Sequence, residues 1–392
     1  MSDAILVLNS GSSSVKFGLF DISAEPVLLC KGLLDEHDAA PRFAVTDASG
    51  NGLFEKSRPA GDEDGDGLLI DILDWIEAYL AGGKLLAVGH RVVHGGREFS
   101  GAVEVTAAVI EALAALTPLA PLHQPRCLSP IRSIRSARPG LRQIVCFDTA
   151  FHHRLAPPVS RFAIPRRFEE LGIRRYGFHG LSFEFIASRL AEISPALAAG
   201  RTVVAHLGNG ASLCAMRDGK SLDTTMGLTP LDGLMMGTRC GVIDPGVLLY
   251  LQQQQGMSSE QVEQLLYQES GLLGVSGLSA DMRVLLASDD PAAAEAVDLF
   301  TFRVAREVAA MANTLGGLEC LVFTGGIGEH SKEIRRQVCD RLQWLGVNLD
   351  ASANERASER VGTGDSQVDI RIIPTSEEMT IARHCAAKLS DR

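Results

Sequence analysis

Arginine, histidine and carboxylate side chains recur in this chain where apolar runs break off, the places at which open α/β sheets collect ligands. Gly89-His90-Arg91-Val92-Val93-His94-Gly95-Gly96 sets an arginine beside a glycine pair, and Ile144-Val145-Cys146-Phe147-Asp148 is an apolar run closed by a carboxylate. Arg174-Arg175-Tyr176-Gly177-Phe178-His179-Gly180 brings two arginines, an aromatic ring and a histidine between glycines, while Arg239 stands in the glycine-punctuated stretch 227–246. His123 sits in the proline-framed Ala120-Pro121-Leu122-His123-Gln124-Pro125, and Glu377 and Glu378 follow Pro374-Thr375-Ser376. A planar guanidinium binds two oxygens at once and a histidine adds a directed donor, so the set suits a small anion. Taken singly, each has a plainer alternative: a surface arginine before a turn, a solvated loop histidine, a capping aspartate, or glutamates favoured by a helix dipole.

Two stretches some two hundred residues apart share one plan, an apolar strand, a Gly/Ser/Asn turn and a second strand. The first is Ile5-Leu6-Val7-Leu8-Asn9-Ser10-Gly11-Ser12-Ser13-Ser14-Val15-Lys16-Phe17. The second is Thr202-Val203-Val204-Ala205-His206-Leu207-Gly208-Asn209-Gly210-Ala211-Ser212. Glycines and hydroxyls at such a tip let backbone N–H groups meet an anion without a side chain in the way. A matched pair implies a duplicated domain that grips polyphosphate from both sides. A third glycine cluster, Phe323-Thr324-Gly325-Gly326-Ile327-Gly328-Glu329, reads as a strand running through glycines into a helix, suited to close nucleotide approach.

The elements that must position these residues alternate. Short apolar runs predict strands at 4–9, 15–20, 27–34, 87–93, 143–147, 202–206, 212–216, 320–324 and 370–373. Helical spacing falls at 68–80, 107–116, 182–192, 258–268, 292–315, 331–343 and 376–389. In the 292–315 helix, Val297, Val304, Val308, Met311 and Leu315 form one stripe, read as core. The acidic stretch 61–67 reads as a solvated loop, because it lacks the closing glutamate of a calcium loop. The expected architecture is α/β throughout, two similar halves with a cleft between them, residues 1–150 plus 375–392 forming one domain and 151–374 the other.

At 392 residues and 46% hydrophobic, the chain can fill two cores. A net charge of −11 argues against a nucleic-acid partner, and no apolar run reaches the roughly 20 residues of a membrane span. Met1-Ser2-Asp3 leads directly into a strand without a basic leader, and eight scattered cysteines lack any C-x-x-C pair. Both point to a cytoplasmic protein with reduced, mostly buried thiols. The P-loop signature, the protein-kinase signature set, the G-x-S-x-G and H-E-x-x-H motifs and the dinucleotide fingerprint are all missing.

Together and in this order, the clusters resemble the acetokinase family of short-chain carboxylate kinases across nearly the whole chain. The resemblance rests on Leu8–Phe17, Gly89–Gly96, His206–Ser212, Gly227–Pro230, Met236–Arg239 and Gly325–Glu329. It implies two ribonuclease-H-like domains of the actin, Hsp70 and sugar-kinase superfamily, usually in a homodimer, and phosphoryl transfer between ATP and acetate. In-line transfer asks mainly for positioning and positive charge, which Arg91 and Arg239 would supply, with His179, and His123 and His206 beside it, as donors. Asp148 is assigned to orienting Arg91 or magnesium, because an ionised carboxylate nucleophile needs no base.

By the same resemblance, Asn9 and Glu377 hold Mg2+, with Mn2+ as a substitute. Ser12, Ser14, Lys16, His206, Leu207, Gly208, Asn209, Gly210 and Ser212 attend the phosphates. Asp281, Met282, Arg283, Gly326, Ile327, Gly328 and His330 line the nucleoside pocket. Val93, Leu122, His123, Phe178 and Pro230, with Arg91, receive acetate. Cys240 stands where serine is usual, Val242 where aspartate is, and His330 where the family often has asparagine. The rival readings are a propionate or butyrate kinase on the same scaffold and an ATP-gated binding protein of the actin or Hsp70 type.

Overall fold

The computed structural model describes all residues except 1–2, 11–13, 23–24, 36–41, 58–64, 122 and 392. The chain divides into two compact units, Met1–His153 with Ser376–Arg392, and Arg154–Thr375. The calcium-like acidic loop, Ser12 and Leu122 fall outside the described residues or at their margin.

In the first unit the strands are β1 (Ala4–Ser10), β2 (Ser14–Asp21), β3 (Val27–Asp35), β4 (Arg42–Asp47), β5 (Gly52–Ser57), β6 (Leu85–Val92), β7 (Val103–Glu104) and β8 (Arg142–Phe147). They lie side by side as β5-β4-β3-β2-β1-β6-β8-β7. The second unit has β9 (Thr202–Leu207), β10 (Ala211–Arg217), β11 (Lys220–Thr224), β12 (Cys320–Thr324) and β13 (Asp369–Ile372), ordered β11-β10-β9-β12-β13. In β3-β2-β1-β6-β8 the first two pairings are antiparallel and the last two parallel. The series β11-β10-β9-β12-β13 repeats that sequence of pairings. Each unit is thus built on the ribonuclease-H-like plan, and the two matched stretches of the sequence supply the corresponding antiparallel pairs β1–β2 and β9–β10.

Strand β1 is apolar at every position from Ala4 to Leu8 because helices cover both faces. Ala4, Leu6 and Leu8 pack with Ile72, Leu73 and Ile76 of the helix Gly65–Leu80. Helix Glu377–Ser390 packs on β1 and β6, and it does so closely. A methyl group at Gly89 would lie 2.6 Å from both Ile381 Cγ2 and Cys385 Sγ. Gly89 therefore sets the depth of the helix whose first residue is Glu377 and leaves Arg91, two residues on, beside that helix start.

In the second unit the long helix Pro291–Leu315 is capped by the Asp290 side chain and ended by Gly316 at φ 72°. Its stripe Val297, Val304, Val308, Met311 and Leu315 is buried as expected. Strands β4, β5 and β11 and the helices Gln124–Ala137 and Pro245–Gln253 go beyond the sequence reading. Proline masked both helices: Pro125 and Pro245 occupy first-turn positions, where a missing N–H costs nothing, and Pro130 lies inside a helix that continues past it. None of the eight cysteines is in a disulfide, and seven are buried. Among the described residues no helix is long and apolar enough to cross a membrane.

Candidate active site

In the first unit the parallel pairing of β1, β6 and β8 brings Asn9, Arg91 and Asp148 to neighbouring strand ends. Arg91 donates from Nε to Asp148 Oδ1 at 2.9 Å and from Nη2 to Oδ2 at 2.6 Å, a bidentate pair. Its Nη1 reaches Asn9 Oδ1 at 3.1 Å, and Glu377 Oε2 stands 3.7 Å from Nε. The Asn9 amide also donates to Glu377 Oε2 at 3.0 Å and to Glu378 Oε1 at 3.4 Å. Asp148 is buried, whereas Arg91 keeps 18% of its side chain in contact with solvent. Burial opposes the charged guanidinium, yet Asp148 and then Glu377 hold its pKa well above the ordinary arginine value.

Two carboxylates around one guanidinium leave this cluster with excess negative charge, a poor host for an anionic substrate. A hard dication on oxygen ligands would offset that charge. Glu377 with the Asn9 amide oxygen is the sparse donor pair that magnesium accepts while keeping several waters. The donor set fits, with the Asn9 oxygen at present engaged by Arg91. Among the described residues no group of three or more His, Cys, Asp or Glu side chains forms a denser metal site.

Val93 is buried next to this cluster. Burial pushes the Cys127 thiol up to about 11, against the lowering effect of the Val93 backbone and Arg91, so it stays a neutral thiol. His123 precedes the helix Gln124–Ala137. Lys16, on β2, is exposed and pairs in register with Asn9.

His90, beside Arg91, is different in kind. It is buried, its Nε2 meets Gln143 Oε1 at 2.8 Å, and its Nδ1 has no partner among the described residues. Burial lowers its pKa from 6.5 to about 4, only partly opposed by Gln143. Between those values the unfolded chain binds the proton that the folded chain refuses. Stability therefore rises with pH across this window and is lost as pH falls through it. His90 alone should remove about 2 kcal/mol between about pH 7 and about pH 5. Urea unfolding at both pH values should show His90→Gln losing that part; an unchanged pH dependence would place the acid sensitivity elsewhere.

In the second unit the β9–β10 register sets Ser212 opposite His206. His179 rests on that pair: its Nδ1 meets Ser212 Oγ at 2.8 Å, and its ring stacks on His206 with centroids 4.4 Å apart. His179 holds φ 57°, a left-handed conformation that a non-glycine residue adopts at a cost of about 1–2 kcal/mol, at the N-terminus of the helix Gly180–Ile193. A methyl group at Gly210 would lie 3.2 Å from His179 Nε2 and 3.7 Å from Arg239 Nη2. One at Gly208 would lie 3.9 Å from both His206 Nε2 and the Gly326 backbone nitrogen. The Gly208–Asn209–Gly210 turn is thus walled by nitrogen atoms from two histidines, an arginine and the backbone.

Arg239 is fixed by Nη1 donating to the Pro230 carbonyl at 2.8 Å, which ties it to one of the acetate-pocket candidates. Phe178, another, is buried immediately before His179. The backbone holds the Arg239 loop: Met236 donates to the Arg239 carbonyl, and Ser270 to the Thr238 carbonyl. Gly271, at φ 64°, closes on it so tightly that a methyl group would sit 2.2 Å from the Met236 carbonyl oxygen. The Cys240 N–H donates to the Leu266 carbonyl and the Val242 N–H to the Gly233 carbonyl, backbone ties that do not depend on their unusual side chains. Arg174 and Arg175 are instead spent on backbone carbonyls of Leu155 and of Thr224, Thr225 and Met226.

Beside the turn lies a cavity of about 810 Å³ lined by Gly208, Asn209, Asp281, Met282, Arg283, Gly326, Ile327 and His330, among others. It gathers most of the predicted nucleoside residues; Gly328 lies outside its lining. Gly325 and Gly326 belong to the helix Gly325–His330 itself, so β12 enters its helix without the intervening glycine loop. Gly325 requires φ 77°, and a methyl group there would lie 2.8 Å from the Leu207 carbonyl oxygen. Asp281 caps the helix Met282–Leu286 and pairs with exposed Arg283 at 2.6 Å, which lowers the Asp281 pKa. His330 presents its ring to solvent at the cavity wall.

A duplicated ribonuclease-H-like unit, with a cavity of nucleotide size beside a glycine turn ringed by donors, defines the class: an α/β protein built to hold a phosphorylated ligand. The chain belongs to the acetokinase family, whose model matches residues 4–383. It is 53% identical over 390 residues to an acetate kinase of Rhodopseudomonas palustris, covering 98% of both chains. To that of Methylocella silvestris it is 47% identical, covering 99% of this chain and 98% of the other. Its structure resembles a propionate kinase of Francisella tularensis, with a TM-score of 0.91, 37% identity and coverage of 98% and 99%. For the acetate kinase of Porphyromonas gingivalis the TM-score is 0.87, with 35% identity and coverage of 99% and 100%.

Proposed function

We propose that this chain catalyses reversible phosphoryl transfer between ATP and acetate. A carboxylate oxygen of acetate bonds to the γ-phosphorus as the bond to the ADP oxygen breaks, and no proton moves at neutral pH. The observation that carries the reading is the Gly208–Gly210 turn. It lines the cavity through Gly208 and Asn209, and at Gly210 it meets His179 and Arg239. A nucleotide seated by Asp281, Met282, Arg283, Gly326, Ile327 and His330 would bring its phosphates to that turn.

Arg239 and His179 are then the donors to the transferring phosphoryl oxygens, and Arg91, held by Asp148, orients the acetate carboxylate. By the resemblance, Val93, Leu122, His123, Phe178 and Pro230 would confine the methyl end. Asn9 and Glu377 are the residues that would hold magnesium, whose chemistry is to neutralise phosphate charge. The reading further takes the protein as a cytoplasmic homodimer, as the resemblance implies; a monomeric mass by light scattering would remove the dimer from it.

The experiment is hydroxylamine trapping of the acyl phosphate, with purified protein, ATP and Mg2+ offered acetate, propionate and butyrate separately. Signal with acetate above the longer acids is expected, with propionate a slower substrate, because an apolar pocket discriminates by only about 1–3 kcal/mol per methylene. A preference for propionate, the substrate in the name of the Francisella relative, would keep the chemistry and change the acid. ATP hydrolysis without any acyl phosphate would overturn the kinase reading.

A further inference from the structure

The histidine pair of the second unit is backed by a chain of hydroxyls that none of the assigned site residues includes. Ser182 Oγ lies 2.8 Å from His206 Nδ1 and 2.8 Å from Thr375 Oγ1. Thr375 is anchored in turn, its backbone N–H donating to Glu329 Oε1 at 3.1 Å. The same carboxylate oxygen accepts from the Gly325 N–H at 2.9 Å, at the start of the helix whose Gly326, Ile327 and His330 line the cavity. A continuous hydrogen-bonded path therefore joins the cavity helix to His206, on which His179 stacks.

Each hydroxyl in this chain has one proton to give, so the chain can run in two directions. If His206 Nδ1 donates to Ser182, then Ser182 and Thr375 share one hydrogen bond, whichever of them donates it. One of the two hydroxyl protons is then left with no acceptor among the described residues. If Thr375 donates to Ser182, then Ser182 donates to His206 Nδ1, and every proton has a protein acceptor. The second direction is also favoured by position. Ser182 lies in the first turn of the helix Gly180–Ile193, where the positive end of the helix dipole favours an unprotonated Nδ1 facing it.

We propose that Ser182 and Thr375 are positioning residues that hold His206 with Nδ1 bare and Nε2 protonated, offering the Nε2–H to the Gly208–Gly210 turn. The inference rests on the phosphoryl-transfer reading for its purpose, but the tautomer itself is independent of it. It makes His206 a donor to the ligand in that turn and links its direction to the helix that lines the nucleotide cavity.

The test is the long-range 1H–15N spectrum of the full chain labelled with 15N-histidine, the His206 signals identified by their loss in His206→Gln. Wild type should show protonation at Nε2 only. In Thr375→Val the constraint on Ser182 is gone, so the His206 signals should move toward a mixture of tautomers. In the same variant kcat for acyl-phosphate formation should fall about 10–100-fold, the usual cost of losing a group that orients a functional histidine. The KM for ATP should stay within about twofold, and Thr375→Ser should restore both spectrum and rate. Protonation of wild-type His206 at Nδ1, or a Thr375→Val protein with unchanged tautomer and rate, would overturn the proposal. If the wild-type tautomer is as stated but no acid is phosphorylated, the kinase reading fails and the positioning stands.

Discussion

Arg91→Ala should lower kcat for acyl-phosphate formation by about 10³-fold or more, the scale on which a transition-state arginine contributes to phosphoryl transfer. Its two nitrogens facing Asp148 keep the guanidinium plane fixed, and its third edge looks toward Asn9. Arg91→Lys should recover little, because an ammonium cannot satisfy both Asp148 oxygens and still present a fork to a carboxylate. Asp148→Asn tests the same pair from the other side. Its amide N–H would meet an arginine N–H, so the guanidinium should turn away and kcat should fall by about 10²-fold. The pH–rate profile of Asp148→Asn should gain no new acidic limb, since the carboxylate orients and transfers no proton. Rescue of that variant by raising pH would assign proton transfer to Asp148 instead. An Arg91→Ala enzyme within tenfold of wild type would remove Arg91 from the chemistry.

The duplicated plan was legible because its signal is local. Ile5–Phe17 and Thr202–Ser212 each carry the strand, turn and return strand within one short window, and the paired sheets follow the same order. The side chains grouped at the two sites were legible for a different reason: Arg91, Asp148, His179 and Arg239 end apolar runs or interrupt glycine-rich loops, which are poor places for structural charge. What stayed hidden depends on distant partners. Ser182 reads as an ordinary residue in a helix start, and Thr375 as a loop hydroxyl, until folding puts them 2.8 Å apart across 193 positions of sequence. Gly89 and Gly271 look like any other glycines in a glycine-rich chain. Only the helix over β6 and the carbonyl of Met236 show why no side chain fits.

Arg335 is the largest of these hidden residues, and replacing it should affect stability and nucleotide binding together. In Lys332-Glu333-Ile334-Arg335-Arg336 it reads as one more charge on a solvated helix face, which is what its neighbour Arg336 is, paired with Glu333 and Asp340. Arg335 is instead fully buried. Nη1 donates to the carbonyls of Gly328 and Glu329 at 2.9 and 2.8 Å, and Nε to Asn354 Oδ1 at 2.7 Å. Among the described residues it has no carboxylate partner, and burial lowers its pKa from the ordinary arginine value. The guanidinium thus closes the C-terminal carbonyls of the helix Gly325–His330, where a cation is favoured by the helix dipole. Arg335→Met fills the space but strands those acceptors, which should cost about 3–4 kcal/mol in urea unfolding. Arg335→Lys keeps the charge, reaches fewer acceptors and should cost about half as much. Because the same helix lines the cavity, KM for ATP should rise about tenfold in Arg335→Lys, about 1.4 kcal/mol of lost binding, while KM for acetate stays near wild type. A folded Arg335→Lys enzyme with unchanged KM for ATP would make the residue a structural strut alone; a parallel rise in both constants would mean that the whole second unit had loosened.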